Sequence, residues 1–394
     1  MIPYGRQHIS DDDIEAVVAV LRSDFLTQGP TVPQFEAAFA AGCGARHAVA
    51  TCNATAALHL ACLALGLGPG DRLWTSPNTF VASANCARYC GAEVDFVDID
   101  PHTYNLSVPV LAAKLADARR DGRLPKIVVP VHFAGQPCDM TGIRALADEY
   151  GFAIIEDASH AVGARYRGKP VGGCDCSDIT VFSFHPVKII TTGEGGMATT
   201  NDPRLAERMA LLRSHGITRD PAQMEGAPDG AWSYEQIALG FNYRMTDLQA
   251  ALGLSQLRRL DDYVARRAQL AQRYDAALRP LPVTCPRQAP DSASSWHLYV
   301  LRVGEAPGSP ARATLFAALR ALGIGVNVHY IPVHTQPDYR RLGFRRGDFP
   351  EAERYYAHAI SLPLFPTMSD ADQEMVIAAV RAAIAGAASP SALC

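Results

Sequence analysis

The 394-residue chain is 48% hydrophobic and 19% charged, with a formal net charge of −4. That balance excludes a disordered chain and leaves no basic footprint for nucleic acid. A chain this long exceeds one simple core, so two domains, or one large α/β domain with an appendage, are expected. No uninterrupted apolar run of about 18 residues is present to span a membrane. The opening Met1-Ile2-Pro3-Tyr4-Gly5-Arg6 lacks the charged-then-apolar layout of a signal peptide. The ten cysteines are scattered without a C-x-x-C pair, and Cys174-Asp175-Cys176 has the wrong spacing for zinc. Reduced thiols in a cytoplasmic protein without a metal site are the expectation.

In chain order, Ser10 caps a helix over 10–22 whose Asp11 to Asp13 sit at the positive end, with Ile14, Val17, Val18 and Leu21 on one face. The loop Asp24 to Pro30 breaks it, and a second amphipathic helix runs through Phe35 and Phe39. Strands then alternate with helices. Strands are predicted at 48–52, 72–76, 93–98, 126–132, 153–157, 179–184 and 197–200; helices at 53–65, 80–90, 110–118 and 141–150. Apolar strands spaced by helices point to a large, mostly parallel sheet of seven strands covered on both faces. A long helical pattern from Thr246 to about Leu278, ended by Pro280, Pro282 and Pro286, suits a connection between domains. Strand 296–303, helix 310–322, an aromatic loop at His329-Tyr330 and helix 369–385 make a smaller α+β domain, and the tail Ala387 to Cys394 is expected to fray. The division is therefore an arm and helix at 1–30, a large domain at 31–250, a connecting helix at 251–280 and a small domain at 281–394.

The most informative stretch is Ser183-Phe184-His185-Pro186-Val187-Lys188, followed by Gly193-Glu194-Gly195-Gly196. Pro186 has no N–H for a ladder, so Lys188 lies just past a strand end, flanked by apolar residues. A lysine there either snorkels to solvent or is desolvated, which lowers its pKa toward an amine able to attack a carbonyl. The glycines allow the backbone to pass close to a bulky ring. Asp157 closes a buried strand at the edge where parallel sheets gather ligands; it is either an N-cap or the counter-charge of a buried cation. A protonated ring nitrogen would be such a cation, which is what pyridoxal phosphate asks of its protein. His160 is either beside that ring or a hydrogen-bonded core histidine. Asn53-Ala54-Thr55 marks a strand-to-helix turn with free N–H groups for a phosphate. Ser183 could add a hydroxyl, and Phe80 either stacks on the ring or is core.

These motifs, with Leu26-Thr27-Gln28-Gly29-Pro30, Glu156-Asp157-Ala158 and Asn242-Tyr243-Arg244-Met245, resemble the DegT/DnrJ/EryC1/StrS sugar aminotransferases, fold-type I pyridoxal-phosphate enzymes, over nearly the whole chain. Within that family, Ile2-Pro3-Tyr4, Asp24-Phe25-Leu26-Thr27 and the Ser183–Lys188 segment are most similar to the branch serving pseudaminic acid synthesis. The resemblance implies that Lys188 bonds the cofactor aldehyde and shuttles the proton, that Asp157 meets the ring nitrogen, and that Phe80 and His160 flank the ring. It gives Ala54, Thr55 and Ser183 the phosphate, and brings Asn242 to that phosphate from the neighbouring subunit of a homodimer with shared sites. Tyr4, Asp24, Phe25, Leu26, Thr27, His329, Tyr330 and Ile331 would hold the nucleotide-sugar. His185 is either structural or in contact with substrate. Arg244 meets a carboxylate or diphosphate, or else forms a structural ion pair. The implied reaction moves the amino group of L-glutamate to C4 of a UDP-linked 4-keto-6-deoxy-N-acetylhexosamine, giving the 4-amino-4,6-dideoxy-N-acetyl-β-L-altrosamine derivative. Three rivals stand beside it: amination of another keto-sugar or of C3, a dehydratase on the same fold, and a non-catalytic nucleotide-sugar binder. The dehydratases of this kind replace the lysine by histidine, and a binder has no need of Lys188 or Asp157.

Overall fold

The computed structural model describes residues 1–387; the predicted fraying of the tail falls largely outside them. Helix α1 (Asp11–Leu21) begins with a capping box between Ser10 and Asp13. It packs on the sheet domain through Asp13 and Val20, and Ile14 and Leu21 are exposed. The expected face of Ile14, Val17, Val18 and Leu21 is therefore not the buried one, because buried Asp13 draws the helix round to meet Arg259 and Gln256. Helix α2 (Thr31–Cys43) starts at Pro30, which has no side chain to cap it. Asp247, far along the chain, supplies the cap by accepting the N–H groups of Thr31 and Val32.

The alternation then unfolds as β1 (His47–Thr51), α3 (Ala54–Ala64), β2 (Arg72–Thr75), α4 (Ala82–Tyr89), β3 (Glu93–Phe96), α5 (Val108–Arg120), β4 (Ile127–Val129), α6 (Met140–Tyr150) and β5 (Ala153–Asp157). A short ribbon, β6 (Arg165–Tyr166) and β7 (Lys169–Pro170), precedes β8 (Ile179–Ser183) and β9 (Gly196–Thr200). The seven-stranded sheet has the order β1-β9-β8-β5-β4-β2-β3. β9 alone runs against its neighbours β1 and β8, and the remaining pairs are parallel. Successive side chains point to opposite faces. Leu73, Ile127, Val129 and Ile155 pack against α3 and α4 on one side, while Trp74, Val128 and Ile154 pack with residues of α5 and α6 on the other.

Helix α7 (Pro203–Arg213) follows β9 and was not foreseen in the sequence. A hairpin, β10 (Ile217–Thr218) with β11 (Glu235–Gln236), leads to the stretch before α8 (Asp247–Leu257). The single long helix predicted from Thr246 to Leu278 is in fact two, α8 and α9 (Leu260–Leu278). The break falls at Arg259, whose guanidinium is drawn to Ser10, Asp13 and the Tyr263 hydroxyl. Beyond it lie β12 (Ser292–Ala293), β13 (Tyr299–Arg302), α10 (Arg312–Ala321), α11 (Pro337–Arg341), α12 (Pro350–His358), β14 (Ala359–Leu362) and α13 (Asp370–Ala387). A second core joins Leu270, Tyr274 and Leu278 of α9 to Tyr299, Leu315, Ile360, Val376 and Val380. Among the described residues, no helix is long and apolar enough to cross a membrane.

Candidate active site

The parallel strands β5 and β8 end beside each other, with Asp157 of β5 paired to Val181 of β8. Alternation sends Asp157 to the α3–α4 side and Glu156 to the opposite side. Past the end of β8, the segment 184–195 forms a closed loop. Phe184 fastens its base through Gly195 O, the Thr192 N–H and the Thr191 hydroxyl. Ile189 and Ile190 are buried beneath it. Lys188 is thereby held on irregular backbone at the mouth of the strand, facing a cavity of about 460 Å³.

Lys188, Asp157, His160, Ser183, Ala54, Thr55, Phe80, Tyr4, His185, His329 and Tyr330 all line that cavity. Burial lowers the Lys188 amine to about 8, offset in part by the negative charge of Asp157. Asp157 accepts from the Ser83 hydroxyl at 2.6 Å through one oxygen and from the Ser159 N–H at 3.1 Å through the other. Each oxygen keeps a lone pair for a cation in the cavity.

At one end, Asn53 caps α3 by accepting the Ala56 N–H, and the Ala57 N–H is taken by Asn53 O. The N–H groups of Ala54 and Thr55 are left as donors at the positive end of the helix, with Ser183 on the same wall. The glycine after Gly195 makes this possible in a way not anticipated. A Cβ on Gly196 would lie 2.5 Å from the Asn53 carbonyl carbon and 2.6 Å from Ala54 N. The close approach it serves is that of the α3 turn.

The opposite wall is histidine-rich. His160 Nδ1 accepts from the Ala134 N–H at 3.3 Å, so its proton is on Nε2, which points to the Tyr330 hydroxyl at 3.0 Å. Tyr330 therefore accepts from His160 and retains its own O–H to donate. Burial, then the nearby Lys188 charge, holds His160 well below the usual histidine range and brings His329 down to about 4. Both imidazoles are neutral at neutral pH. Burial raises the Tyr330 phenol, which stays protonated.

Several expected residues lie elsewhere. Asp24, Phe25, Leu26, Thr27, Asn242, Arg244 and Ile331 do not line this chain's cavity. The loop 24–30 is fastened instead to the start of α8. The Asp247 N–H donates to Leu26 O, Thr27 bridges Thr246, and Asp247 accepts the Gly29 N–H at 2.7 Å. Phe25 and Leu26 are exposed. Asn242 is exposed and bridges Ser214, and Arg244 forms no ion pair among the described residues. The alternative of a structural ion pair for Arg244 thus finds no partner.

The structure adds residues that the sequence left unassigned: Thr79, Ser83, Ser159, Glu194 and His297. Glu194 belongs to the Gly193-Glu194-Gly195-Gly196 motif, which by itself assigns it no role. His297 carried no local signal; it reaches the cavity because the buried guanidinium of Arg267 on α9 donates to the carbonyls of Trp296, His297 and Leu364. Its ring stands 4.3 Å from that of His160. Tyr4 arrives by a similar long-range device. The Ile2 N–H donates to Gly323 O, the Gly325 N–H to Ile2 O and the Leu364 N–H to Tyr4 O. A Cβ on Gly325 would come within 2.9 Å of Ile2 O and block the arm.

These features fit pyridoxal phosphate: N–H and hydroxyl donors at one end, a carboxylate for a ring nitrogen, and an amine for an aldehyde. Among the described residues, no group of three or more His, Cys, Asp or Glu could hold a metal ion.

Residues 7–381 match the DegT/DnrJ/EryC1/StrS aminotransferase family. The spore coat polysaccharide biosynthesis protein SpsC of Bacillus subtilis is 44% identical over 389 residues, 98% of each chain. Helicobacter pylori PseC, an aminotransferase of pseudaminic acid biosynthesis, superposes with a TM-score of 0.89 at 30% identity, over 98% of this chain and 99% of its own. A sugar aminotransferase of Streptococcus pneumoniae in its pyridoxal-phosphate form superposes with a TM-score of 0.87 at 29% identity, over 98% of this chain and 99% of its own.

Proposed function

The chain belongs to the DegT/DnrJ/EryC1/StrS family of pyridoxal-phosphate-dependent sugar aminotransferases, with their fold type I, and on that premise we propose that it aminates C4 of a UDP-linked 4-keto-6-deoxy-N-acetylhexosamine with L-glutamate as donor. The product is the UDP-4-amino-4,6-dideoxy-N-acetyl-β-L-altrosamine of the pseudaminic acid route. The observation that carries the reading is the convergence of the Lys188 amine and the Asp157 carboxylate on one cavity closed by Tyr4 and His329-Tyr330. The likeness to PseC supports the choice of sugar.

When bound, the cofactor supplies an electron sink for the carbon whose amino group is exchanged. Asp157 would hold a negative charge toward the cofactor's ring nitrogen, and Ala54, Thr55 and Ser183 would hold its phosphate. Lys188, with its amine at about 8, takes and returns a proton at the substrate carbon near neutral pH. Neutral His160 orients Tyr330, whose O–H donates into the cavity, and Phe80 covers the mouth. Tyr4, His185 and His329 form the side that receives the sugar.

We propose a homodimer for the residues that miss this chain's cavity. The stretches 24–27 and 232–244 that carry these residues expose apolar side chains, among them Phe25, Leu26, Trp232, Tyr234 and Leu239. A second copy would bury that surface and receive Asn242 at its phosphate end. The core that Leu270, Tyr274 and Leu278 share with Tyr299, Leu315 and Val380 supports a small domain at 281–394 joined through 251–280 to a large one at 31–250, although Leu298, Val333, Phe349 and Tyr355 pack into the large domain's core. The setting is cytoplasmic, in keeping with the scattered cysteines.

The similarity to SpsC favours a second reading, amination of a different nucleotide-linked keto-sugar for a coat polysaccharide. One assay separates the two. The enzyme is incubated with glutamate and a panel of UDP- and dTDP-linked 4-keto and 3-keto sugars, and the products are identified by mass and NMR. Exclusive turnover of the UDP-N-acetyl 4-keto sugar supports the first reading; preference for any other sugar replaces it with the second.

A further inference from the structure

Asp157 does not meet the cavity as a bare carboxylate. The Ser83 hydroxyl on the first turn of α4 lies 2.6 Å from its Oδ2, and the Thr79 hydroxyl lies 2.7 Å from Ser83 Oγ. All three side chains are buried, Ser83 completely. Ser83 has one proton and the ionised carboxylate can only accept, so the direction is fixed: Thr79 donates to Ser83, and Ser83 donates to Asp157. The other oxygen has only the Ser159 N–H, at 3.1 Å. Neither hydroxyl caps α4, whose N-cap residue Val81 leaves it without a side-chain cap.

We propose that Ser83, backed by Thr79, is a positioning residue that sets how much negative charge Asp157 presents to the cofactor's ring nitrogen. An O–H donated to a carboxylate spreads its charge and lowers its basicity. The chain of two hydroxyls strengthens that effect in a site shielded from water. It also fixes the carboxylate plane, because Oδ2 is tied to α4 and Oδ1 to the turn after β5. Sequence spacing agrees with the geometry. Thr79 sits in the bend that precedes α4, and that bend brings its hydroxyl back onto Ser83 in the first turn, so both hydroxyls lie beside the end of β5. The inference rests on Asp157 facing that nitrogen.

The test is a pH titration of the visible absorbance of the bound cofactor in the holoenzyme. In Ser83→Ala, Asp157 becomes more basic and favours positive charge opposite it, so the midpoint rises by about half a pH unit. Thr79→Val, which leaves Ser83 in place, raises it by less. In both variants kcat falls several-fold while the KM for glutamate holds, a split that a packing defect would not give. Asp157→Asn is titrated alongside. If it moves the midpoint while both hydroxyl variants leave it fixed or lower it, the role of Ser83 is overturned and Asp157 keeps its place. If Asp157→Asn leaves the midpoint fixed, the assignment of Asp157 falls, and this inference with it. Should Ser83→Ala fail to fold, the direction of the Thr79→Val shift alone decides.

Discussion

Glu156 and Asp157 are neighbours in the chain and opposites in the molecule. Glu156 points to the rear of β5, where His132 Nε2 meets it at 2.7 Å and the Ser177 and Thr180 hydroxyls donate to its other oxygen. His132 Nδ1 accepts the Cys138 N–H at 3.0 Å. The ring is thus a neutral donor with its proton on Nε2, facing a carboxylate that stays ionised. Burial raises the Glu156 carboxyl, but these donors outweigh it and hold the carboxyl below its ordinary value. Asp157 points to the cavity with one hydroxyl and one N–H, and the nearest cation is an amine whose pKa has dropped. A buried carboxylate with its hydrogen bonds complete stabilises the fold; one left incomplete is available to a ligand.

The largest expected effect lies on the cavity side. Lys188→Ala should reduce turnover by at least about a thousandfold, because both proton transfer and the covalent attachment are lost. It should also abolish the visible absorbance while leaving the far-UV circular dichroism unchanged. Turnover near the wild-type level would remove Lys188 from the chemistry.

Substituting the two carboxylates separately gives the sharper contrast. Asp157→Asn keeps the shape and removes the charge, and should lower kcat by about a hundredfold with little change in melting temperature. Glu156→Gln breaks a network of charge-assisted hydrogen bonds away from the cavity. It should destabilise the protein by about 3 kcal/mol in urea titration, with kcat of the folded fraction preserved. If each variant shows the other's phenotype, the division between the two faces of β5 is wrong.

Acid unfolding, read as the difference between wild type and Glu156→Gln, probes the rear face. The folded-state pKa of Glu156 is depressed, so its contribution is fully present above the ordinary glutamate value. That contribution disappears as pH falls through the folded-state value. Glu156→Gln should therefore flatten the acid limb of the stability profile, whereas Asp157→Asn should leave the Glu156 contribution to that limb intact. Urea midpoints measured across the acid range would show it, and equal slopes for wild type and Glu156→Gln would contradict it.

The contrast also marks how far the sequence could be read. Asp157 and Lys188 were legible because each sits at the end of a short apolar strand, and strand ends in a parallel sheet converge whatever the loops do. The order of the sheet strands and their helices from His47 to Thr200 was legible for the same local reason, and the short ribbon β6–β7 was not. What escaped is set by contacts across hundreds of residues. Ser83 meets Asp157 from another helix, His297 is placed by Arg267, and Tyr4 depends on Gly325. The turn of α1 away from its most apolar face and the break before α9 both come from the single buried cluster of Asp13 and Arg259. None of these pairings leaves a periodic trace along the chain.

The smallest effect tests the electrostatics of the cavity face directly. Burial lowers the Lys188 amine, and Asp157 works against that drop by favouring the ammonium. In cofactor-free protein, labelling of Lys188 by an amine-selective reagent, followed by mass spectrometry across pH, should show a midpoint near 8. Asp157→Asn removes the opposing charge, so the midpoint should move lower. Glu156→Gln should leave it where it is, because Glu156 faces away and its oxygens are already taken up by His132, Ser177 and Thr180. A downward shift in both variants would mean that the sheet does not insulate its two faces, and that the amine responds to the total charge of β5 and not to the one carboxylate in its own cavity.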